Sequence, residues 1–125
     1  MIAIDSSSLI AYLSGDKGED VEATELALQQ GQGVLPPVVL SELFSEPKLP
    51  GDVAAILGEL PLLAITEGYW IRCGGLRASL LKSRRKAHLA DCLIAQSCLD
   101  HDVPLITRDR DFRSIATVTG LKILP

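Results

Sequence analysis

The chain has 125 residues, 47% of them hydrophobic, with a net charge of −4. That is enough for one domain with a real core, and too apolar for a disordered chain. No apolar run approaches the roughly eighteen residues of a membrane helix. No basic leader precedes the first apolar stretch, and the three cysteines (Cys73, Cys92, Cys98) are odd in number without paired metal spacing, as expected of a reduced, cytoplasmic protein. Charge is segregated: residues 1–67 hold eleven acids against two bases, residues 68–125 five acids against ten bases, which predicts an acidic face beside a basic one.

Residues 1–5 read as a minimal strand, apolar until Asp5 at its C-terminal end. Ser6, Ser7 and Ser8 offer hydroxyl caps to a helix carried by Leu9, Ile10 and Leu13. Asp5 therefore falls at a strand-to-helix junction, where parallel α/β sheets place their chemistry. Capping the helix amides is the other role open to it. Residues 19–30 read as an acidic, mostly exposed helix with Val21, Leu26 and Leu28 apolar, stopped by Gly31 and Gly33. Residues 34–35 with Pro36 make a short strand, and Pro37 suits the start of a helix over 38–45. Glu42, one turn after Val38, leans toward the core side of that helix.

Residues 53–57 predict a brief helical turn and 61–65 a third apolar strand. A long helix over 67–82 follows, with Tyr69, Trp70, Leu76, Leu80 and Leu81 available for packing. Gly74 and Gly75 weaken its middle by about 1 kcal/mol each, so a kink or a close helix contact is expected there. It ends in the basic run Lys82, Arg84, Arg85 and Lys86. From His88, the residues Leu89, Ala90, Leu93, Ile94, Ala95, Cys98 and Leu99 recur at helical spacing. His101 and Asp102 end that helix, and 103–107 read as a buried strand entered through Pro104. A charged turn with Asp109 and Asp111 leads to a short helix over 112–117 and, past Gly120, a last strand over 121–124. Strand and helix alternation predicts one α/β domain over 1–125: a mostly parallel sheet of about five strands between helices on both faces, three layers in all.

Within that frame Asp91 is out of place. Its helical neighbours Ile94, Ala95 and Cys98 put the carboxylate on an apolar face, where an ionised acid is costly without a cation or hydrogen bonds. Asp5 and Asp109 follow strand ends; Glu42 and Asp91 lie on inward-leaning helix faces. A parallel sheet brings strand C-termini to one edge, so these four acids can converge. An oxygen-only set suits a hard cation such as Mg²⁺ or Mn²⁺, and no soft ligand set for zinc is present.

The segments IAIDSSSLIAYL, VVLSELFS, HLADCLIAQ and LITRDRDF, in this order and spacing, resemble the PIN-domain nucleases, specifically the small VapC-like toxins of toxin–antitoxin pairs. The resemblance covers nearly the whole chain, although the stretch 47–61 is shorter than the helical segment usual in that family. It implies a PIN-like, Rossmann-like fold in which Asp5, Glu42, Asp91 and Asp109 are the catalytic, metal-binding acids. Ser6 or Ser7 and Thr107 would be supporting polar positions, and Asp111 a flanking acid. The implied reaction is hydrolysis of an RNA phosphodiester by metal-activated water with Mg²⁺ or Mn²⁺. The implied partners are RNA, a second copy in a homodimer, and a small antitoxin whose tail crosses the acidic groove.

Arg84, Arg85 and Lys86, with Arg108 and Arg110, are the candidates for the RNA backbone; a solvated helix end is the other reading of the 82–86 run. His88 and His101 read as surface or helix-end residues. The alternative function is a non-catalytic domain of this fold whose acids bind a partner's arginine. Phosphotransfer finds no second acid two residues after Asp5, where Ser7 stands.

Overall fold

The computed structural model describes residues 1–124. Four short strands, β1 (Ile2–Ile4), β2 (Gly33–Val34), β3 (Leu105–Ile106) and β4 (Ile123–Leu124), form one all-parallel sheet in the order β2-β1-β3-β4. Ala3 is level with both Val34 and Leu105, and Ile106 with both Ile4 and Leu124. The expected third strand over 61–65 contracts to a single parallel bridge between Leu35 and Leu62, held by Leu35 N–H to Pro61 O and Leu63 N–H to Leu35 O, both 2.9 Å. Only Leu63 of that stretch is buried, so the segment lacks the two-sided burial that sustains a parallel strand.

Seven helices flank the sheet among the described residues: α1 (Ser6–Leu13), α2 (Glu19–Gln29), α3 (Pro37–Phe44), α4 (Gly51–Glu59), α5 (Tyr69–Lys82), α6 (Leu89–His101) and α7 (Phe112–Thr119). None is long and apolar enough to cross a membrane. Pro37 opens α3 as expected. The brief turn expected at 53–57 is a full nine-residue helix, α4, anchored by the buried Leu57. α2 is mostly exposed, as expected; its buried residues are Asp20, Thr24 and Ala27, with Leu28 packed partly against the core. Leu26 is 53% exposed, while Asp20 turns inward to pair with Arg108. α5 runs unbroken through Gly74 and Gly75, and a Cβ on either would meet open space, so no close helix contact accounts for them.

α6 is the most enclosed helix, with Cys92 and every residue from Ile94 to Cys98 buried, and it packs against α3, α5 and α7. Asp102 ends it in the left-handed region at φ 52°, with Val103 N–H returning to Cys98 O. This is the αL stop that Asp tolerates better than most residues. Around this frame Ile4, Leu9, Leu35, Leu80, Ile106 and Phe112 are fully buried. Gly33 is set by packing: a Cβ there would lie 3.1 Å from both Ile4 and Leu28 side chains.

The strand order fixes where chemistry can sit. From central β1 the chain goes first to β2 on one side and later to β3 on the other, so the crossovers diverge at β1. That leaves a crevice beyond the carboxyl ends of β1 and β3. Asp5 and Thr107 are the residues immediately after those two ends.

Candidate metal centre

Asp5 is 4% exposed. Its Oδ2 accepts hydrogen bonds from Ser7 Oγ (2.7 Å) and Thr107 Oγ1 (2.8 Å). It holds the N-cap position of α1, yet its side chain makes no capping bond, so the capping role does not apply. Nor do the three serines cap the helix. Ser6 Oγ donates to Glu42 (3.2 Å), Ser7 Oγ to Asp5, and Ser8 Oγ to Asp20 (2.9 Å): three hydroxyls on three carboxylates from different parts of the chain.

The turn after β3 is built on Thr107. Its Oγ1 accepts from Asp109 N–H (3.0 Å) while donating to Asp5, and Asp109 Oδ1 accepts from Asp111 N–H (2.9 Å). This folds the turn so that Asp109 and Asp111 face the first turn of α6, where Asp91 sits. One carboxylate oxygen from each of Asp91, Asp109 and Asp111 lies within 4.8 Å of the others. Ionised acids at that spacing repel by about 3 kcal/mol per pair at an effective dielectric of about 20. The titration of Asp91 registers it. Burial first, then the charges of Asp109 and Asp5, push its carboxyl up to about 6, with Asp111 adding and His88 opposing. Glu42 is raised as well, by desolvation and then by the charge of Asp5, against the hydrogen bond from Ser6.

The structure therefore brings Asp91, Asp109 and Asp111 into one cluster, with Asp5 close enough to act on Asp91, while Glu42 reaches in from the exposed side of α3. Asp111, a lesser candidate in the sequence, lies as close as any. Basic side chains near the cluster are loosely held: Lys86 Nζ is 3.4 Å and His88 Nε2 4.0 Å from Asp111, on side chains 70% and 67% exposed. His88, read from sequence as a plain surface residue, thus stands at the rim. A crowded set of carboxylate oxygens with weak internal compensation fits a hard divalent cation.

Of the basic candidates, Arg85 donates to Ser114 Oγ on α7 (3.0 Å) and Lys86 to Asp111, which lays the run alongside the acids. Arg84 and Arg110 are exposed. Arg108, also exposed, has a partner within the protein. It grips Asp20 through Nε (2.8 Å) and Nη2 (3.0 Å) and Lys17 O through Nη2 (3.1 Å), with Asp16 3.8 Å away. Nothing in the local sequence singles out Asp20, whose partner lies 88 positions away.

The family model described as PIN domain matches residues 2–118. No curated protein sequence matches. Among solved structures, the chain is similar to one from VapBC2 of Rickettsia felis, bound to a DNA fragment from their promoter. There the TM-score is 0.77 and the identity 19%, covering 99% of this chain and 98% of that one. It is also similar to VapBC-5 of Mycobacterium tuberculosis, a member of the VapBC family of toxin–antitoxin systems, at TM-score 0.69 and 19% identity over 98% and 96%. A third is FitAcB of Neisseria gonorrhoeae, at TM-score 0.69 and 18% identity over 100% and 97%. At these identities the likeness is one of fold.

Proposed function

The chain belongs to the PIN-domain family, and from that premise we propose that it is a divalent-metal-dependent endoribonuclease, the toxin of a toxin–antitoxin pair. The observation that carries the reading is the crowding of Asp91, Asp109 and Asp111, with one oxygen of each within 4.8 Å of the others, at the carboxyl edge of the sheet beside Asp5. Asp91, Asp109 and Asp5, with Glu42 and Asp111 beside them, would hold Mg²⁺ or Mn²⁺. Such an ion supplies the positive charge that makes bound water a nucleophile and offsets charge on the phosphate.

The residues of the chain prepare that site. Ser7 and Thr107 both bond Oδ2 of Asp5, which fixes its rotamer and leaves Oδ1 without a protein donor among the described residues. Thr107 sets the backbone of Asp109, and Ser6 steadies Glu42. A thiolate nucleophile has no support. All three cysteines are buried with raised thiol pKa values, that of Cys98 pushed up to about 12 by burial. The direct test is incubation of the protein with a mixed RNA pool in Mg²⁺, Mn²⁺ or EDTA, with mapping of new ends. Cleavage in all three alike, or in none, is incompatible with the reading.

RNA would run along Arg84, Arg85 and Lys86, and into a cleft of about 330 Å³ beside Asp109 that Arg110 and Arg113 line. Reversing Arg84, Arg85 and Lys86 to Glu is expected to weaken RNA binding. It should also flatten the slope of log affinity against log salt by about 0.7 for each phosphate that is no longer neutralised. An unchanged slope reduces the run to a solvated helix end.

An antitoxin would dock on an apolar groove. α1, α3 and α4 enclose this groove of about 540 Å³, lined by Ile10, Leu13, Leu43, Leu49, Val53 and Leu57, with Glu42 at its margin. A helix seated there can extend a basic tail onto the acids, where a guanidinium satisfies carboxylates in place of the cation. Expression alone should slow growth and co-expression of the neighbouring small gene should restore it. A harmless protein with no copurifying partner argues against the toxin role while leaving nuclease chemistry standing. A second copy would cover the face of α5 that exposes Trp70 (64%) and Ile71 (83%). Light scattering that returns the 13.4 kDa monomer mass excludes it.

A further inference from the structure

Arg108 sits between two residues of the candidate centre, Thr107 and Asp109, yet its side chain leaves the site and runs to the start of α2. There Asp20, 8% exposed, takes Arg108 Nε and Nη2 on its two oxygens and Ser8 Oγ on Oδ2. The guanidinium also bonds Lys17 O, so two neighbouring backbone segments are held by one fork. Neighbouring residues of each segment face the site: Ser7, next to Ser8, bonds Asp5 and is 3.4 Å from Arg108 N–H, and Thr107 bonds Asp5 and Asp109. Gly18 shows how closely the fork is fitted. At φ 147°, a Cβ there would fall 2.7 Å from Asp20 Oδ1 and 3.1 Å from Arg108 Nη2. Arg108's hydrogen bonds hold the Asp20 carboxyl below the usual range, and the N-terminal turn of α2 favours the same charge.

We propose that Arg108 and Asp20 are positioning residues: a clamp that sets the distance of Asp109 and Thr107 from Asp5 and Asp91, and through it the affinity of the centre for a divalent cation. The inference rests on the nuclease reading above. Arg108 acts through the backbone on either side of it. With Nε and Nη2 bonded to Asp20 and Lys17 O, its charge on this proposal serves Asp20 rather than a phosphate.

The experiment is calorimetric titration of the full-length chain with Mn²⁺ for wild type, Asp20→Asn, Arg108→Gln and Arg108→Lys, together with melting curves and the salt dependence of RNA binding in EDTA. Both Asp20→Asn and Arg108→Gln should weaken Mn²⁺ binding by about tenfold or more, as loss of partners behind metal ligands does elsewhere. They should do so without changing the RNA salt slope. Arg108→Lys keeps the charge but cannot span both oxygens and Lys17 O. It should fall between, and it carries the test if Arg108→Gln does not fold. A lower melting point with unchanged Mn²⁺ affinity makes the pair a merely structural tie and overturns the clamp. So does an RNA slope reduced by about 0.7 with Mn²⁺ affinity intact, which identifies Arg108 as a phosphate contact. If wild type itself binds no Mn²⁺, the nuclease reading fails and the clamp with it.

Discussion

Asp91→Asn is expected to lower RNA cleavage at saturating substrate by about a thousandfold or more while the protein remains folded. The carboxylate is one of three whose oxygens lie within 4.8 Å of each other, and it is the one anchored to the most enclosed helix. Asparagine keeps the shape and one acceptor oxygen but removes the charge. Losing several kcal/mol of charge stabilisation in the reacting complex, about 4 kcal/mol, corresponds to a thousandfold in rate. Single-turnover cleavage in Mg²⁺ and Mn²⁺, with circular dichroism to verify the fold, measures it. A folded Asp91→Asn protein cutting at the wild-type rate removes Asp91 from the reaction and the centre with it.

The same substitution should stabilise the metal-free protein at neutral pH, by about 2–3 kcal/mol. Asp91 titrates at about 6 in the fold, against about 3.9 in an unfolded chain. The folded state holds its proton more tightly, so the contribution of this group is intact at acid pH. It declines as pH rises from about 4, where the unfolded chain ionises, and is fully lost above about 6, where the folded chain has ionised too. Glu42, also raised, contributes in the same direction. Asp20 and Asp100, held low chiefly by hydrogen bonds from Arg108 and Arg72, act oppositely: their stabilisation is present above the usual carboxylate range and disappears as pH falls through it. Stability of wild type in EDTA should therefore pass through a maximum on the acid side of neutrality, and the difference between wild type and Asp91→Asn isolates the Asp91 share. Urea melts between pH 4 and pH 8 give both. Mn²⁺ at a hundredfold excess over its dissociation constant should instead stabilise wild type, by about 2.7 kcal/mol, and the variant less. A variant that melts lower than wild type in EDTA makes Asp91 a structural hydrogen-bonding residue.

What the sequence discloses and what it hides differ by range. Asp91 could be found because its misfit is local: its neighbours at three, four and seven positions declare the apolar face. Asp5 could be found because a strand end is visible in five residues, and the alternation of elements carried the parallel sheet. The burial of Asp20 on α2 could not be found, because its partner Arg108 lies 88 positions away and no periodicity signals a paired charge. The same long-range pair gives Arg108 a carboxylate partner that its place in the basic motif does not announce. The three serines looked like helix caps because capping is a local habit, yet each bonds a carboxylate. α4 was legible only as a turn, since its one buried anchor is Leu57 and Gly51 and Gly58 dilute its helical pattern. The segment 61–65 has the apolar run of a strand, but only Leu63 is covered, and the ladder stops at one bridge.

The enclosure of α6 gives the carboxylates unequal lifetimes. Its backbone amides at Cys92 and from Ile94 to Cys98 belong to buried residues and are expected to exchange hydrogen with solvent only in the costliest openings of the domain. Asp109 and Asp111 lie in an irregular turn with the exposed Arg108 and Arg110, tied down chiefly by the Arg108–Asp20 pair, and such a turn is expected to open at lower cost than the helix. One carboxylate thus stands at the head of an enclosed helix, and two belong to a segment expected to open more often than the core does. A cation shared by them would couple the two timescales and slow exchange in the turn far more than in the helix. Loss of the ion would then register first as faster breathing of the turn, long before the domain unfolds.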